Sequence, residues 1–514
     1  MPQKLASERS GLEILALGSA YALVGAVLSK VFTYVYRLLV AGAGPEAYGL
    51  ISLGISVVVL IVSVGLLGLG EGLTRFIPEY RQSNQVAGIK GAISFTFKVG
   101  LFVGAFFTLV LFFGADFFAN NLFHESNLAP ILRVLSLSII PYIFLTIIAY
   151  VFNAFENVKL VVYSRHLAEN ILRLGATFIL LYLGYGILGA AIAYALGTTI
   201  AAVLAFYWLE TSVFPIIRTK IVSKVNKREL FSFSLPLLMS GMMWTILVWA
   251  DTIILGAVRS AYEVGIYNAA APTAMILVAV PQIALSIFTP LVTRLNAQGK
   301  IAELQEVYRR STKWVLILAL PITFLFAAFP RAVIHQLFGA DYAAAAPSLA
   351  ILAIGYLVYD TLIGAESILR ISKRTDVIFG IALLTTLLNI VLNIFLSQQY
   401  GAIGSSIATA LGLSFYAVLN ALYAFKLTKM HQFQFNQLRP LIAAIVSGII
   451  IYSATKVIPF LPLNIPFLIG VYAIVYVILL VLARGFDSQD VEVFKSISNK
   501  AIAKLPFSER LQQF

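Results

Sequence analysis

The residues most able to do chemistry in this chain are ionisable side chains set inside apolar stretches. VGAVLSKVFTYVYRLLVAGAG places Lys30 and Arg37 seven residues apart, two helical turns, with Tyr34 between them. Two cations on one helix face suit an anionic ligand such as a phosphate, and a tyrosine between them could stack on a sugar. The alternative is snorkelling toward an interface, which suits Arg37 better than Lys30. In GLGEGLTRFIPEYR, Glu71, Arg75 and Glu79 follow i, i+4, i+8 spacing, read either as a solvated charge ladder or as Arg75 standing at the inner mouth of a cavity. Arg165, Glu169 and Arg173 in SRHLAENILRLG repeat that spacing. A local ladder is the default there, and only Arg173 sits deep enough to face a ligand.

The carboxylates tell the complementary story. Asp251 in WTILVWADTIILG has no Lys or Arg three or four residues away, so it needs a proton or a cation. Asn389 and Asn393 in LLNIVLNIF share one face, and Ser405, Ser406 and Thr409 follow shortly after. One carboxylate with several neutral oxygens is a ligand set for a hard cation, while interhelical hydrogen bonding explains the amides and hydroxyls equally well. In GYLVYDTLIGAESILR, Glu366 and Arg370 pair at i, i+4, whereas Asp360 has no such partner and is read as facing a cavity.

What positions these groups is a membrane. The chain is 60% hydrophobic and 11% charged over 514 residues, with a mean hydropathy of +0.93; soluble proteins run at about 45–50% apolar and about 25% charged. Fourteen stretches are long and apolar enough to span, near 14–41, 47–70, 91–114, 131–152, 167–184, 187–209, 231–256, 264–290, 314–330, 347–369, 377–397, 402–425, 440–458 and 465–483. The expected class is an all-α integral membrane protein of fourteen transmembrane helices, because backbone in hydrocarbon must satisfy its own hydrogen bonds. With the N-terminus inside, most of the 36 Lys and Arg fall on cytoplasmic segments, and only Arg259, Arg331 and Lys456 fall outside. That bias puts both ends in the cytoplasm of a multi-pass plasma-membrane protein. It also assigns the net charge of +13 to inner-leaflet lipid, so nucleic acid is not needed as a partner.

The chain repeats itself. YGILGAAIAYALG at 185–197 and YGAIGSSIATALG at 400–412 agree at eight of thirteen positions, and Gly49 in GPEAYGLISL aligns with Gly265 in SAYEVGIYNA. Two six-helix copies in parallel are expected, 1–213 and 214–430, followed by two extra helices over 431–483 and a cytoplasmic amphipathic tail over 484–514. Cysteine is absent, no GxxxxGK[ST] loop or HExxH pair occurs, and His124, His166, His335 and His431 are scattered. The expectation is a monomeric transporter without a cofactor, not an enzyme.

LSKVFTYVYRLLVAGAGPEAYGLISL followed by GLTRFIPEY resembles the polysaccharide transporter, or oligosaccharide flippase, branch of the multidrug/oligosaccharidyl-lipid/polysaccharide exporter superfamily. The resemblance implies a V-shaped bundle that moves a polyprenyl phosphate- or pyrophosphate-linked glycan by alternating access. The related lipid II flippases imply a sodium site at Asp251, Asn389, Asn393, the Ser405 carbonyl and Thr409, with Asn393 standing where those proteins have a carboxylate. A proton on Asp251 is the rival coupling ion. The family's cavity arginines imply Arg37 and Arg75 as headgroup contacts, which joins them to Lys30, Tyr34, Arg173 and Asp360 as candidate substrate residues. A cation-coupled multidrug antiporter is the alternative; a glycosyltransferase would want longer outer loops.

Overall fold

The computed structural model describes residues 11–457 and 465–486; most of the tail expected to form an amphipathic surface helix lies outside them. The described residues form helices joined by short turns, with no strand among them. Among the described residues, eight helices are long and apolar enough to cross a membrane, and a ninth candidate is the pair Leu128–Ser136 and Ile139–Ala154, bent by 44°. Several expected spans are interrupted. The stretch expected at 47–70 is two helices, α1 (Pro45–Gly65) and α2 (Leu69–Gln82), separated by Leu67 and Gly68 with φ of 48° and 69°. A Cβ on Gly68 would strike the Ser234 carbonyl oxygen, so glycine is required by both conformation and space. The expected span at 264–290 passes through a tighter 3₁₀ turn at Met275–Val278.

The chain divides into two compact units. The first comprises 1–273, 337–348 and 382–412. Besides α1 and α2 it contains the helix Gly11–Ala41, α3 (Ile139–Ala154), α4 (Glu169–Tyr182), α5 (Gly186–Trp208), α6 (Lys227–Val258) and α7 (Ala261–Ala274). It also holds most of α8 (Thr375–Tyr400) and the start of α9 (Ala402–Thr428). Before α4 the chain winds as a wide π-helix over Val162–Ala168. Its core is apolar and closely packed: Leu53, Leu73, Ile77, Leu132, Ile148 and Phe152 are fully buried. Gly49 of α1 meets Ala261 and Gly265 of α7 backbone to backbone, a contact that small residues permit. Three side chains cap helix ends across this unit. Glu125 accepts from the Ala261 amide at 2.7 Å and Glu263 from the Ala402 amide at 2.8 Å. Arg259 donates to the Ser397 carbonyl at 3.1 Å and to that of Gln398 at 2.5 Å.

The second unit comprises 274–336, 349–381 and 413–514. One of its cores gathers Phe288, Leu304, Tyr308, Ile368 and Leu369; the other gathers Ile317, Leu320, Ala444, Tyr472 and Tyr476, with Tyr476 donating to the Ile317 carbonyl at 3.1 Å.

Candidate functional site

Two polar sites lie within the first unit. The first is built on Asp251, which is 1% exposed on α6. Three neutral donors hold its carboxylate. The Tyr267 hydroxyl of α7 donates to Oδ2 at 2.6 Å, the Thr409 hydroxyl of α9 lies against the same oxygen, and the Asn393 amide of α8 donates to Oδ1 at 2.7 Å. The helix turn supplies the next layer. Thr409 also reaches the Ser405 carbonyl at 3.0 Å, and the Ser405 hydroxyl bonds that of Ser397 at 2.8 Å. Asn389, also 1% exposed and close to Asp251, leaves both atoms of its amide without a well-formed hydrogen bond. No cation neighbours Asp251 among the described residues.

All five residues expected at this ion site thus converge. Tyr267 and Ser397 join them, and neither was marked by a local sequence signal. The donor set fits a small monovalent cation or a proton. It offers one formal charge, hydroxyl, carbonyl and amide oxygens, and an orphaned buried amide where a ligand would satisfy it. No group of three or more His, Cys, Asp or Glu able to hold a metal occurs among the described residues, so the set lacks the charge a multivalent site wants.

The second site is a cavity of about 250 Å³ lined by Arg37, Arg173, Asn170, Tyr36, Tyr48 and Trp249, among others. Arg173 is held from three sides. Glu169 pairs with it at 2.5 Å, Thr198 accepts from Nη2 at 2.8 Å, and the Tyr194 ring lies 3.8 Å from its Cζ. Arg37 donates to the Tyr48 hydroxyl at 3.3 Å and has no carboxylate partner among the described residues. Asn170 ties α4 to the first helix, donating to Ser29 at 3.1 Å and accepting from Thr33 at 3.0 Å. The Tyr36 hydroxyl is buried and unpartnered.

The remaining candidates lie elsewhere. Lys30 is exposed, beside the exposed Val27 and Val31, and does not line the cavity that Arg37 lines. Tyr34 hydrogen-bonds Thr273 at 2.8 Å and meets Phe338 edge-on. Arg75 is exposed, with its guanidinium over the Phe233 ring at 4.2 Å. Asp360 belongs to the second unit, where it is 1% exposed and both carboxyl oxygens lack a partner.

The sequence repeat reappears in the sites. Gly197 and Gly412, which end the two matching motifs, each back onto a site residue. A Cβ at Gly197 would lie 2.8 Å from the Arg173 backbone nitrogen, and one at Gly412 would lie 3.3 Å from the Asn389 side chain. The same place in the motif thus backs onto Arg173 in one stretch and onto Asn389 in the other.

A many-helix membrane bundle with a cation-lined cavity and a buried, cation-free carboxylate is a transporter architecture. The family model described as polysaccharide biosynthesis protein matches residues 15–296, and the MatE model matches 236–395. The chain belongs to the polysaccharide biosynthesis protein family, within the superfamily of membrane transporters and flippases that the opening motifs resembled. It is 26% identical over 439 residues to the uncharacterized membrane protein MJ1068 of Methanocaldococcus jannaschii, covering 81% of this chain and 85% of that one. It is 24% identical over 213 residues to the probable low-salt glycan biosynthesis flippase Agl15 of Haloferax volcanii, covering 41% of this chain and 45% of that one. In fold it is similar to the lipid II flippase MurJ in an inward closed conformation, with a TM-score of 0.68 at 16% identity over 90% of this chain and 98% of that one.

Proposed function

We propose that the protein moves a lipid-linked glycan, carried on a polyprenyl phosphate or pyrophosphate, across the membrane by alternating access. In this reading fourteen helices cross the membrane as two parallel six-helix repeats and two extra helices, with both ends in the cytoplasm. The headgroup phosphate engages the cation-lined cavity at Arg37 and Arg173, and a sodium ion or proton at Asp251 couples the cycle to a gradient. The observation that carries the reading is the pairing of opposite chemistries in one unit: unpaired guanidinium charge in a cavity, and a buried carboxylate held only by neutral donors. The name of the Haloferax relative Agl15, a probable low-salt glycan biosynthesis flippase, supports it.

Coupling works only if the ion has different affinities for the two states of the carrier. One charge falling through 100 mV supplies about 2.3 kcal/mol, enough to bias such an equilibrium by nearly two decades. When bound, the ion would neutralise the Asp251 carboxylate. The chain's own part is to hold that carboxylate in place with Tyr267, Asn393 and Thr409 and to exclude water from it. The test is flipping of a tagged polyprenyl-pyrophosphate sugar in proteoliposomes under imposed Na+ or proton gradients. The wild type should respond to one of them, and Asp251→Asn should lose the response. Equal, gradient-independent flipping by both proteins rejects the coupling, and no flipping by the wild type rejects the substrate.

The MatE match favours a second reading, a cation-coupled antiporter of small molecules. Arg37 and Arg173 in the cavity weigh against cationic drugs. Drug resistance without a glycan defect in a deletion strain would decide for it.

A further inference from the structure

The cavity at Arg37 has a neighbour. A second cavity, of about 260 Å³, is lined by Glu71, Thr146, Tyr150 and Thr245 among others, and it shares Val59, Tyr142 and Arg165 with the first. The two stack along α1. Tyr48, Ile51, Ile55 and Val59 border the first; Val59, Val62, Ser63 and Leu66 border the second. Tyr48 to Leu66 is about 27 Å of helix, close to the roughly 30 Å thickness of bilayer hydrocarbon.

Arg165 stands at the junction. Spacing alone would pair it with Glu169. The π-helix at Val162–Ala168 takes more residues per turn, so the ladder loses its register. Glu169 pairs with Arg173, and Arg165 turns across to α3, donating to Thr146 at 3.1 Å. Arg165 has no carboxylate partner among the described residues. The Tyr142 ring lies between the two arginines, 5.7 Å from each guanidinium carbon. From Glu71 in the second cavity to Arg37 in the first, the lining therefore presents the shared Arg165 and Tyr142 and then Arg173 of the first cavity.

We propose that Arg165 is a second phosphoryl-binding station, the point at which the anionic headgroup passes between the two cavities. Among the described residues only Arg165 lines both cavities with a charge that no carboxylate neutralises, so it can bind phosphate oxygens without first breaking an ion pair. Tyr142 gives it a planar neighbour that shields the charge while no anion is bound. The inference rests on the flippase reading for its cargo, but the binding station can be tested without it.

The first experiment is binding of inorganic pyrophosphate to the purified full-length protein. Arg165→Gln should weaken it at least tenfold, Arg165→Lys should recover part of the loss, and Lys98→Gln, which removes an exposed charge outside both cavities, should leave it unchanged. Equal weakening by Lys98→Gln means diffuse surface binding and overturns the station. So does unchanged binding in Arg165→Gln. A merely structural Arg165 predicts that Thr146→Val, which removes its hydrogen bond but no charge, weakens binding as much as Arg165→Gln; that result too overturns it.

The second experiment is flipping of the tagged polyprenyl-pyrophosphate sugar, with pyrophosphate as competitor. Arg165→Gln should slow flipping at least tenfold in protein of wild-type thermal stability. Normal flipping by Arg165→Gln, with flipping lost in Asp251→Asn, removes the station and leaves the flippase. Accumulation of free pyrophosphate that requires Arg165 keeps the station and removes the lipid cargo.

Discussion

Gly49 and Gly265, 216 residues apart, lie backbone against backbone where α1 crosses α7. A Cβ on Gly49 would strike the Ala261 carbonyl oxygen, and one on Gly265 would strike that of Pro45. In an isolated helix Gly→Ala would stabilise by up to about 1 kcal/mol. Here overpacking against backbone should reverse the sign and cost about 1–3 kcal/mol. One separation of the helices relieves both clashes, so Gly49→Ala with Gly265→Ala should cost little more than either alone. Thermal unfolding in detergent measures this; additive losses would mean that the two clashes are relieved separately.

Asn389 should behave unlike its neighbour Asn393. Its buried amide lacks a well-formed partner, so Asn389→Leu removes an unsatisfied group and should stabilise the cation-free protein by up to about 1–3 kcal/mol. Asn393 donates to Asp251, so Asn393→Leu should destabilise it. Both should abolish the rise in unfolding temperature on adding the coupling cation. A retained rise in Asn389→Leu would exclude Asn389 from the ligand set.

Glu169 and Arg173 are a buried pair, with side chains 5% and 13% exposed. Glu169→Gln leaves the arginine charge buried, and breaking such a pair costs about 3–5 kcal/mol. The contacts of Arg173 with Thr198 and Tyr194 remain, which argues for the lower end. Chemical denaturation should show the loss, and a negligible change would mean that water already screens the pair.

Arg259 and Glu263 cap the facing ends of α8 and α9, the helices that bring Asn393 and Thr409 to Asp251. Glu263→Ala should cost about 1 kcal/mol as a lost cap. Because α9 also positions Thr409, the same change should weaken the cation response. Loss of stability with an unchanged cation response would separate the cap from the site.

The grouping around Asp251 was legible in part because its spacing is local. Asn389 and Asn393 fall on one face by i, i+4, as do Ser405 and Thr409, and an isolated carboxylate in an apolar run announces a need. Tyr267 was not legible, since its claim on Asp251 is made across two helices. Lys30 and Arg37 share a face by spacing, yet seven residues are about 10.5 Å of rise, and the surroundings change over that length. Arg165 was hidden for another reason. The ladder it seemed to join assumes 3.6 residues per turn, and the π-helix breaks that assumption. The stretch at 47–70 looked unbroken because its interruption depends on the Gly68 conformation rather than on hydropathy.

That interruption determines which parts travel together. Gly68 is seated against Ser234, so the elbow between α1 and α2 is fastened to the first turns of α6. A tilt at that end of α6 would swing α2 with it and draw Glu71 away from the Tyr150 hydroxyl it now holds at 3.1 Å, unlatching one wall of the second cavity while the first kept its shape.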